Sequence, residues 1–246
     1  MTGLLDATTS FGSSPAKRAD WSLPTLLAIV EKHRVERALT LSLRGKYYDF
    51  ASGNIETMAA CRDHPVLSPV ATIDPRRYLD CLETVARCAE AGFVAFRFFP
   101  DHQVWPLEWL PFLEIAEAIA RVGLPVILPG GAPGSITLAG RLLAPLGLRV
   151  LFLGVGYANM AEALTALKVY PTFYFDTHLM DTPEALEVLC RGGGEERVVF
   201  GSNAPERYFE SALNMLQAAE LSADQRQAIS GGNLRRFLGE ERSVWV

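Results

Sequence analysis

Asp176 and His178 stand two residues apart at the end of the apolar run Thr172–Thr177. If that run is a β-strand, its period of two puts both side chains on one face. A carboxylate that orients an imidazole makes a general base. The competing reading gives Asp176 to backbone hydrogen bonds and leaves His178 exposed on a loop. Arg97 lies near the end of another run, Val94–Phe99. Its guanidinium could hold a carboxylate or phosphate by a two-pronged contact, or pair structurally with Asp101 or Asp176. Arg44 and Lys46 offer a weaker version of that clamp, or a solvated surface. Trp105 and Trp109, near His102, could form a lid or line an apolar ligand pocket, or bury in a dimer contact. The stretch Pro129-Gly130-Gly131-Ala132-Pro133-Gly134-Ser135 could cradle an anion on backbone amides, or be an ordinary loop.

Elements must hold these residues in place. Eight short apolar runs read as strands: Leu4–Ala7, Arg37–Leu43, Leu67–Ile73, Val94–Phe99, Pro125–Leu128, Val150–Leu153, Thr172–Thr177 and Val198–Ser202. Little polar alternation interrupts them, as in parallel strands covered on both faces. The spacing leaves room for a helix in each connection. Ser22 caps one helix, with Pro24 in its first turn. Asp74-Pro75 opens another, which Gly92 stops. Pro111–Arg121 is amphipathic and stopped by Gly123. Asp181-Thr182-Pro183-Glu184 starts a helix, Ser222-Ala223-Asp224-Gln225 has capping-box spacing, and Asn233 caps the last short one. Eight strand–helix units predict an α/β fold, a (β/α)8 TIM barrel forming one domain over residues 1–246. An open doubly wound sheet would carry a GxGxxG turn after its first strand, and Asp6-Ala7-Thr8-Thr9-Ser10-Phe11-Gly12 is not one. The longest irregular stretches, Thr8–Asp20, Arg44–Gly53 and Pro100–Leu110, all follow strands, on the side where barrels carry their sites.

Composition excludes other classes. The chain has 246 residues, 49% of them hydrophobic, with formal net charge −5 and no basic run. A nucleic-acid or acidic-membrane binder is not expected. No stretch is long and apolar enough to span a membrane, and no signal-like start is present, so a cytoplasmic protein is the default expectation. Cys61, Cys81, Cys88 and Cys190 form no CxxC motif and are expected to be reduced and mostly buried.

The run Val198-Val199-Phe200-Gly201-Ser202-Asn203-Ala204-Pro205 resembles the last-strand Gly-Ser-Asp-x-Pro segment of the amidohydrolase superfamily, in its amidohydrolase-related branch. Ile229-Ser230-Gly231-Gly232-Asn233-Leu234-Arg235-Arg236-Phe237-Leu238-Gly239 resembles that branch's closing GGNArRLFGL. Leu5-Asp6-Ala7-Thr8-Thr9-Ser10-Phe11-Gly12 is similar to D-x-H-x-H-F-G, and Ala71-Thr72-Ile73-Asp74-Pro75 and Leu124-Pro125-Val126-Ile127-Leu128 also match. The resemblance covers most of the chain. It implies a (β/α)8 hydrolase, with decarboxylases and lactonases in related branches. Many members hold a divalent metal on a His-x-His pair, further His after strands 5 and 6, and an Asp after strand 8. Here Thr8 and Ser10 stand at the His-x-His places, Pro129 and Gly154 at the two later His places, and Asn203 at the Asp. None of these is a strong metal donor, and Asn203 cannot take a proton from water as Asp can. No catalytic metal and no cofactor are expected.

Two functions follow as expectations. One is metal-independent hydrolysis of a lactone, ester or amide, or decarboxylation, of a small anionic substrate. His178, Asp176 and Arg97 would be catalytic, with Thr8, Ser10, Arg44, Asn203 and Trp105 contacting the substrate. The alternative is an inactive relative that binds a small molecule or serves as an assembly partner, with a homodimer possible.

Overall fold

The computed structural model describes residues 3–15 and 18–240. Its strands are β1 (Leu4–Phe11), β2 (Val35–Ser42), β3 (Leu67–Ala71), β4 (Ala95–Arg97), β5 (Val126–Pro129), β6 (Val150–Leu153), β7 (Phe173–Asp176) and β8 (Val198–Val199). Each pairs in parallel with the next, in the order β1 to β8. Ala7 N–H donates to Phe200 O at 2.9 Å and Ser10 N–H to Ala204 O at 3.0 Å, which brings the last strand back to the first. Eight parallel strands with helices between them make the expected (β/α)8 barrel.

The helices are α1 (Leu23–Lys32), α2 (Leu43–Tyr47), α3 (Phe50–Asp63), α4 (Cys81–Ala91), α5 (Pro100–Gln103), α6 (Leu110–Val122), α7 (Ser135–Leu143), α8 (Met160–Val169), α9 (Ala185–Leu189), α10 (Phe209–Ala218), α11 (Ala223–Gln227) and α12 (Asn233–Leu238). Ser22 caps α1 through its hydroxyl, and Ser222 and Gln225 form the capping box of α11. No helix among the described residues is long and apolar enough to cross a membrane.

The apolar side chains divide into two layers. Phe96, Phe152, Phe173, Phe175 and Phe200 pack between strands and helices. Leu5, Leu39, Leu41, Val70, Ile127, Leu151 and Val199 fill the barrel interior. Leu234 and Phe237 of α12 join that interior, with the Phe237 ring 5.3 Å from Tyr174. Burying strands on both faces removes the polar alternation that a half-exposed sheet would show. The four cysteines are free and buried, and burial pushes each thiol up, to about 12 at Cys61 and about 11 at the others.

Four local expectations need correction. Strand β1 runs on to Phe11 instead of ending at Ala7, so Thr8 and Ser10 are strand residues. β-branched threonines suit a ladder whose inner positions find polar partners. The stretch Arg44–Gly53 is helical over most of its length, because Ser42 caps α2 and Asp49 caps α3 through their side chains. Helix α9 starts only at Ala185, since Glu184 sits at φ 60° outside it. Asn233 caps nothing: its buried amide donates to Glu195 O and Val198 O at 2.8 and 2.7 Å and ties α12 to β8.

Candidate active site

The site begins with a buried carboxylate at the mouth end of β7. Asp176 is fully buried, which is costly for a charge unless donors surround it. Three do. Gly154 N–H donates to Oδ1 at 2.9 Å, the Thr8 hydroxyl to Oδ2 at 3.4 Å, and His178 Nδ1 lies 2.5 Å from Oδ2. Holding Nδ1 this way leaves Nε2 as the free nitrogen. His178 is itself nearly buried, with 8% of its side chain exposed, and lines the cavity at the barrel mouth. The reading of His178 as an exposed loop residue therefore fails.

Two glycines make this packing possible. A Cβ on Gly154, at φ +77°, would stand 3.4 Å from His178 Cε1 and 3.6 Å from Nε2. The imidazole thus uses room that a side chain at the end of β6 would fill. A Cβ on Gly201 would come within 2.6 Å of Thr8 Oγ1 and 2.8 Å of Asp176 Oδ2, so only glycine lets the chain after β8 close on this pair.

The cations stand in the same mouth. The side chain of Arg97, at the end of β4, has no hydrogen bond or ion pair among the described residues. The expected pairing with Asp101 or Asp176 does not form. Its guanidinium lies over the Phe99 ring, 5.1 Å from the centroid, and Lys46 Nζ lies 5.3 Å from the same centroid. Burial pushes the Arg97 pKa down, while the charges of Glu206 and Asp176 oppose the shift; arginine stays protonated regardless. Lys46, on α2, also lies 4.8 Å from the Tyr47 ring centroid and pairs with Glu206 at 3.4 Å. The other Glu206 oxygen accepts from the Ser10 hydroxyl at 3.2 Å. His102, over the same opening, has its pKa lowered by burial and then by Lys46 and Arg76.

These groups surround a cavity in the mouth, which Arg97, Lys46, Phe99, Leu153, His178 and Asn203 line. The cavity itself measures about 330 Å³. An outer cavity of about 560 Å³ adjoins it across His178, Leu179 and Asn203. Asn203 adopts φ 54°, and its buried Oδ1 accepts no hydrogen bond. Its backbone N–H donates to Thr8 Oγ1 at 3.3 Å. Below this level Asp6 is fully buried, accepting from Thr8 N–H and Ser202 N–H at 3.0 Å each and from the Ser202 hydroxyl. Burial pushes its carboxyl up to about 6; the nearby charge of Asp176 adds to the shift and the hydrogen bonds oppose it.

The fold thus gathers Asp176, His178, Arg97, Thr8 and Asn203 at one opening, with Ser10 beneath Glu206. It does not gather Arg44 and Trp105. Arg44 is exposed and paired with Glu56 at 3.2 Å, beside a separate depression with Tyr48 and Gly12. Trp105 is buried against Phe112 and Phe98, at 5.0 and 6.2 Å between centroids, with Nε1 donating to Gln103 Oε1 at 2.9 Å. It is core, neither lid nor ligand wall. The glycine-rich loop after β5 does cradle an anion, but an internal one: Gly134 N–H and Thr137 N–H donate to the Glu162 carboxylate at 2.9 and 2.6 Å. Residue types overlooked in the sequence are Glu206, Asp6 and Phe99. Glu206 directly follows the Asn203-Ala204-Pro205 motif, and that adjacency was the available signal.

The model of the family described as amidohydrolase matches residues 55–239. No curated protein sequence matches the chain. Among solved structures it is similar to 5-carboxyvanillate decarboxylase from Sphingomonas paucimobilis, with TM-score 0.74, 13% identity, and 97% of this chain and 99% of that one covered. It is similar to a dihydroxybenzoic acid decarboxylase from Polaromonas with bound manganese, with TM-score 0.73, 13% identity, and 99% and 98% covered. It is also similar to a probable 2-pyrone-4,6-dicarboxylic acid hydrolase from Acinetobacter baumannii, with TM-score 0.69, 12% identity, and 97% and 100% covered. At these identities the likeness establishes the fold.

Proposed function

This chain belongs to the amidohydrolase family, and from that premise we propose that it is a metal-independent enzyme acting on a small anionic substrate, by hydrolysis of a lactone, ester or amide or by decarboxylation. The observation that carries the reading is one cavity lined both by His178, whose Nδ1 is held by buried Asp176, and by Arg97, a guanidinium with no ion-pair partner among the described residues. An unpaired cation in a buried mouth is costly unless a ligand neutralises it. The names of the similar structures, a carboxyvanillate, a dihydroxybenzoic acid and a pyrone dicarboxylic acid, are consistent with a small acid.

A divalent metal is implied by the family resemblance, and the donor set here does not fit one. A catalytic zinc site takes about three strong protein donors and an open position. Pro129 and Gly154 offer no side-chain donor. The hydroxyls of Thr8 and Ser10 are neutral and already engaged by Asp176 and Glu206. Asn203 contributes a single neutral oxygen. Among the described residues no group of three His, Cys, Asp or Glu converges to hold a metal ion.

Side chains alone then do the work. Arg97 anchors the anion, and Phe99, Leu153 and Leu179 supply apolar walls. Asn203 Oδ1 accepts from a substrate O–H or N–H, which orients the reacting bond beside His178. In hydrolysis, Nε2 takes a proton from water as its oxygen attacks the carbonyl carbon, then returns it to the departing oxygen or nitrogen. In decarboxylation, protonated Nε2 delivers its proton to the carbon that keeps the electron pair when CO2 leaves. Asp176 steadies the imidazolium in both cases. The test is a panel of lactones, aryl esters, anilides and hydroxybenzoic acids, assayed with the wild type and His178→Ala. Turnover that falls at least 100-fold in the variant supports the reading. Anion binding without turnover would instead favour a non-catalytic small-molecule binder, a reading that draws its own support from the departure of all five metal positions.

A further inference from the structure

Glu206 is the carboxylate that pairs with one mouth cation and lies within the field of the other. It pairs directly with Lys46 at 3.4 Å, and it is the largest charge acting on Arg97, ahead of Asp176. Lys46 and Glu206 are both mostly buried, with 14% and 15% of their side chains exposed, so their mutual attraction is little screened. The Ser10 hydroxyl holds the second Glu206 oxygen and fixes the carboxylate in place. Lys46, by contrast, rests on the faces of Tyr47 and Phe99 and bonds only Glu206 among the described residues. Its flexible stem can turn its ammonium toward the cavity that it already lines. The remaining charges around the mouth, Asp101, Asp181 and Arg207, are exposed, where solvent and salt weaken them.

Resting on the reading of this mouth as an anion site, we propose that Glu206 determines which charge the site accepts: by occupying Lys46 it leaves Arg97 as the open cation of the inner cavity among the described residues, and so selects monocarboxylates over adjacent dicarboxylates. A single carboxylate needs only Arg97. A ligand with two neighbouring carboxylates brings its second charge toward Glu206 and must also draw Lys46 away. Once Glu206 is neutral, Lys46 is released and the same mouth presents two cations around the Phe99 ring.

Isothermal titration of the 246-residue chain with benzoate and phthalate tests this. The wild type is expected to bind benzoate at least tenfold more tightly than phthalate. Glu206→Gln, which keeps the acceptor for Ser10, is expected to tighten phthalate at least tenfold while moving benzoate less than threefold. Adding Lys46→Met to Glu206→Gln should return phthalate to its wild-type affinity. A wild type that prefers phthalate, or a Glu206→Gln variant with folded-state melting intact and no gain for phthalate, overturns the role of Glu206 alone. Failure of benzoate to bind the wild type, or benzoate binding that survives Arg97→Met unchanged, overturns the anion site and this inference with it.

Discussion

His178 Nδ1 lies 2.5 Å from Asp176 Oδ2, while the other oxygen of that carboxylate takes the backbone N–H of Gly154. The carboxylate is therefore fixed by the scaffold before it fixes the imidazole. Asp176→Asn replaces the acceptor facing Nδ1 with an amide that can donate. The ring would then carry its proton on Nε2, the wrong tautomer for a base. Activity on any substrate the panel identifies is expected to fall by on the order of 10³-fold, with little change in KM. Steady-state kinetics on the variant checks this, and an unchanged kcat would remove the dyad from the mechanism.

Arg97 presents the opposite balance of stability and function. Its charge sits half-buried with no ion pair among the described residues, and Met preserves much of the stem below the guanidinium that lies over Phe99. Arg97→Met is expected to raise the unfolding free energy by about 1 kcal/mol and to abolish stabilisation by added benzoate. Urea unfolding with and without the anion reads both effects. A destabilised variant that still responds to benzoate would place the anion elsewhere.

Chelation separates side-chain catalysis from metal catalysis. Prolonged dialysis against a strong chelator is expected to leave both turnover and Tm unchanged, because among the described residues no group of three His, Cys, Asp or Glu converges to hold a metal ion. Loss of turnover that manganese or zinc restores would contradict the side-chain mechanism.

Much of this architecture was legible in the residues, for identifiable reasons. Strands buried on both faces write themselves as mostly apolar runs, so all eight are legible in the sequence, apart from the polar second half of β1. Ser22 and Ser222 act locally, so their caps were readable too. What failed depended on distant partners. Thr8 reads as a loop residue until Asp176 arrives from β7 to take its hydroxyl. Asn233 reads as a cap until the carbonyls of Glu195 and Val198 claim its amide. Glu206 has no meaning in sequence without Lys46, which lies 160 residues earlier.

Trp105 illustrates how a tryptophan in a loop after a strand can mislead. Its ring packs with Phe98 and Phe112 beneath the β4 end, and its indole N–H is satisfied by Gln103. Trp105→Ala is expected to cost about 3–5 kcal/mol in unfolding free energy, read by urea denaturation, with any remaining folded protein keeping the wild-type preference among ligands. A change of ligand preference without loss of stability would restore it to the cavity wall.

Asp6 ties stability to pH. Its carboxyl ordinarily ionises near 3.8, but in the fold it is pushed up to about 6, chiefly by burial. The native state therefore favours the neutral acid, and the sign follows: its stabilising contribution is complete below about pH 4 and is lost as pH rises through 6. The whole span is worth about 3 kcal/mol at 1.36 kcal/mol per pKa unit, of which roughly 1 kcal/mol falls between pH 5 and 8. Asparagine mimics the neutral acid closely. Its oxygen can accept from Thr8 N–H and Ser202 N–H, and its amide can donate to the Ser202 hydroxyl, which already accepts from Ala204 N–H. Asp6→Asn should accordingly be the more stable of the two at both pH values, by about 2 kcal/mol at pH 5 and about 3 kcal/mol at pH 8. Because every other titrating group is common to both proteins, comparing the two at both pH values isolates Asp6, and equal pH dependence in the pair would show that this carboxyl stays ionised in the folded barrel.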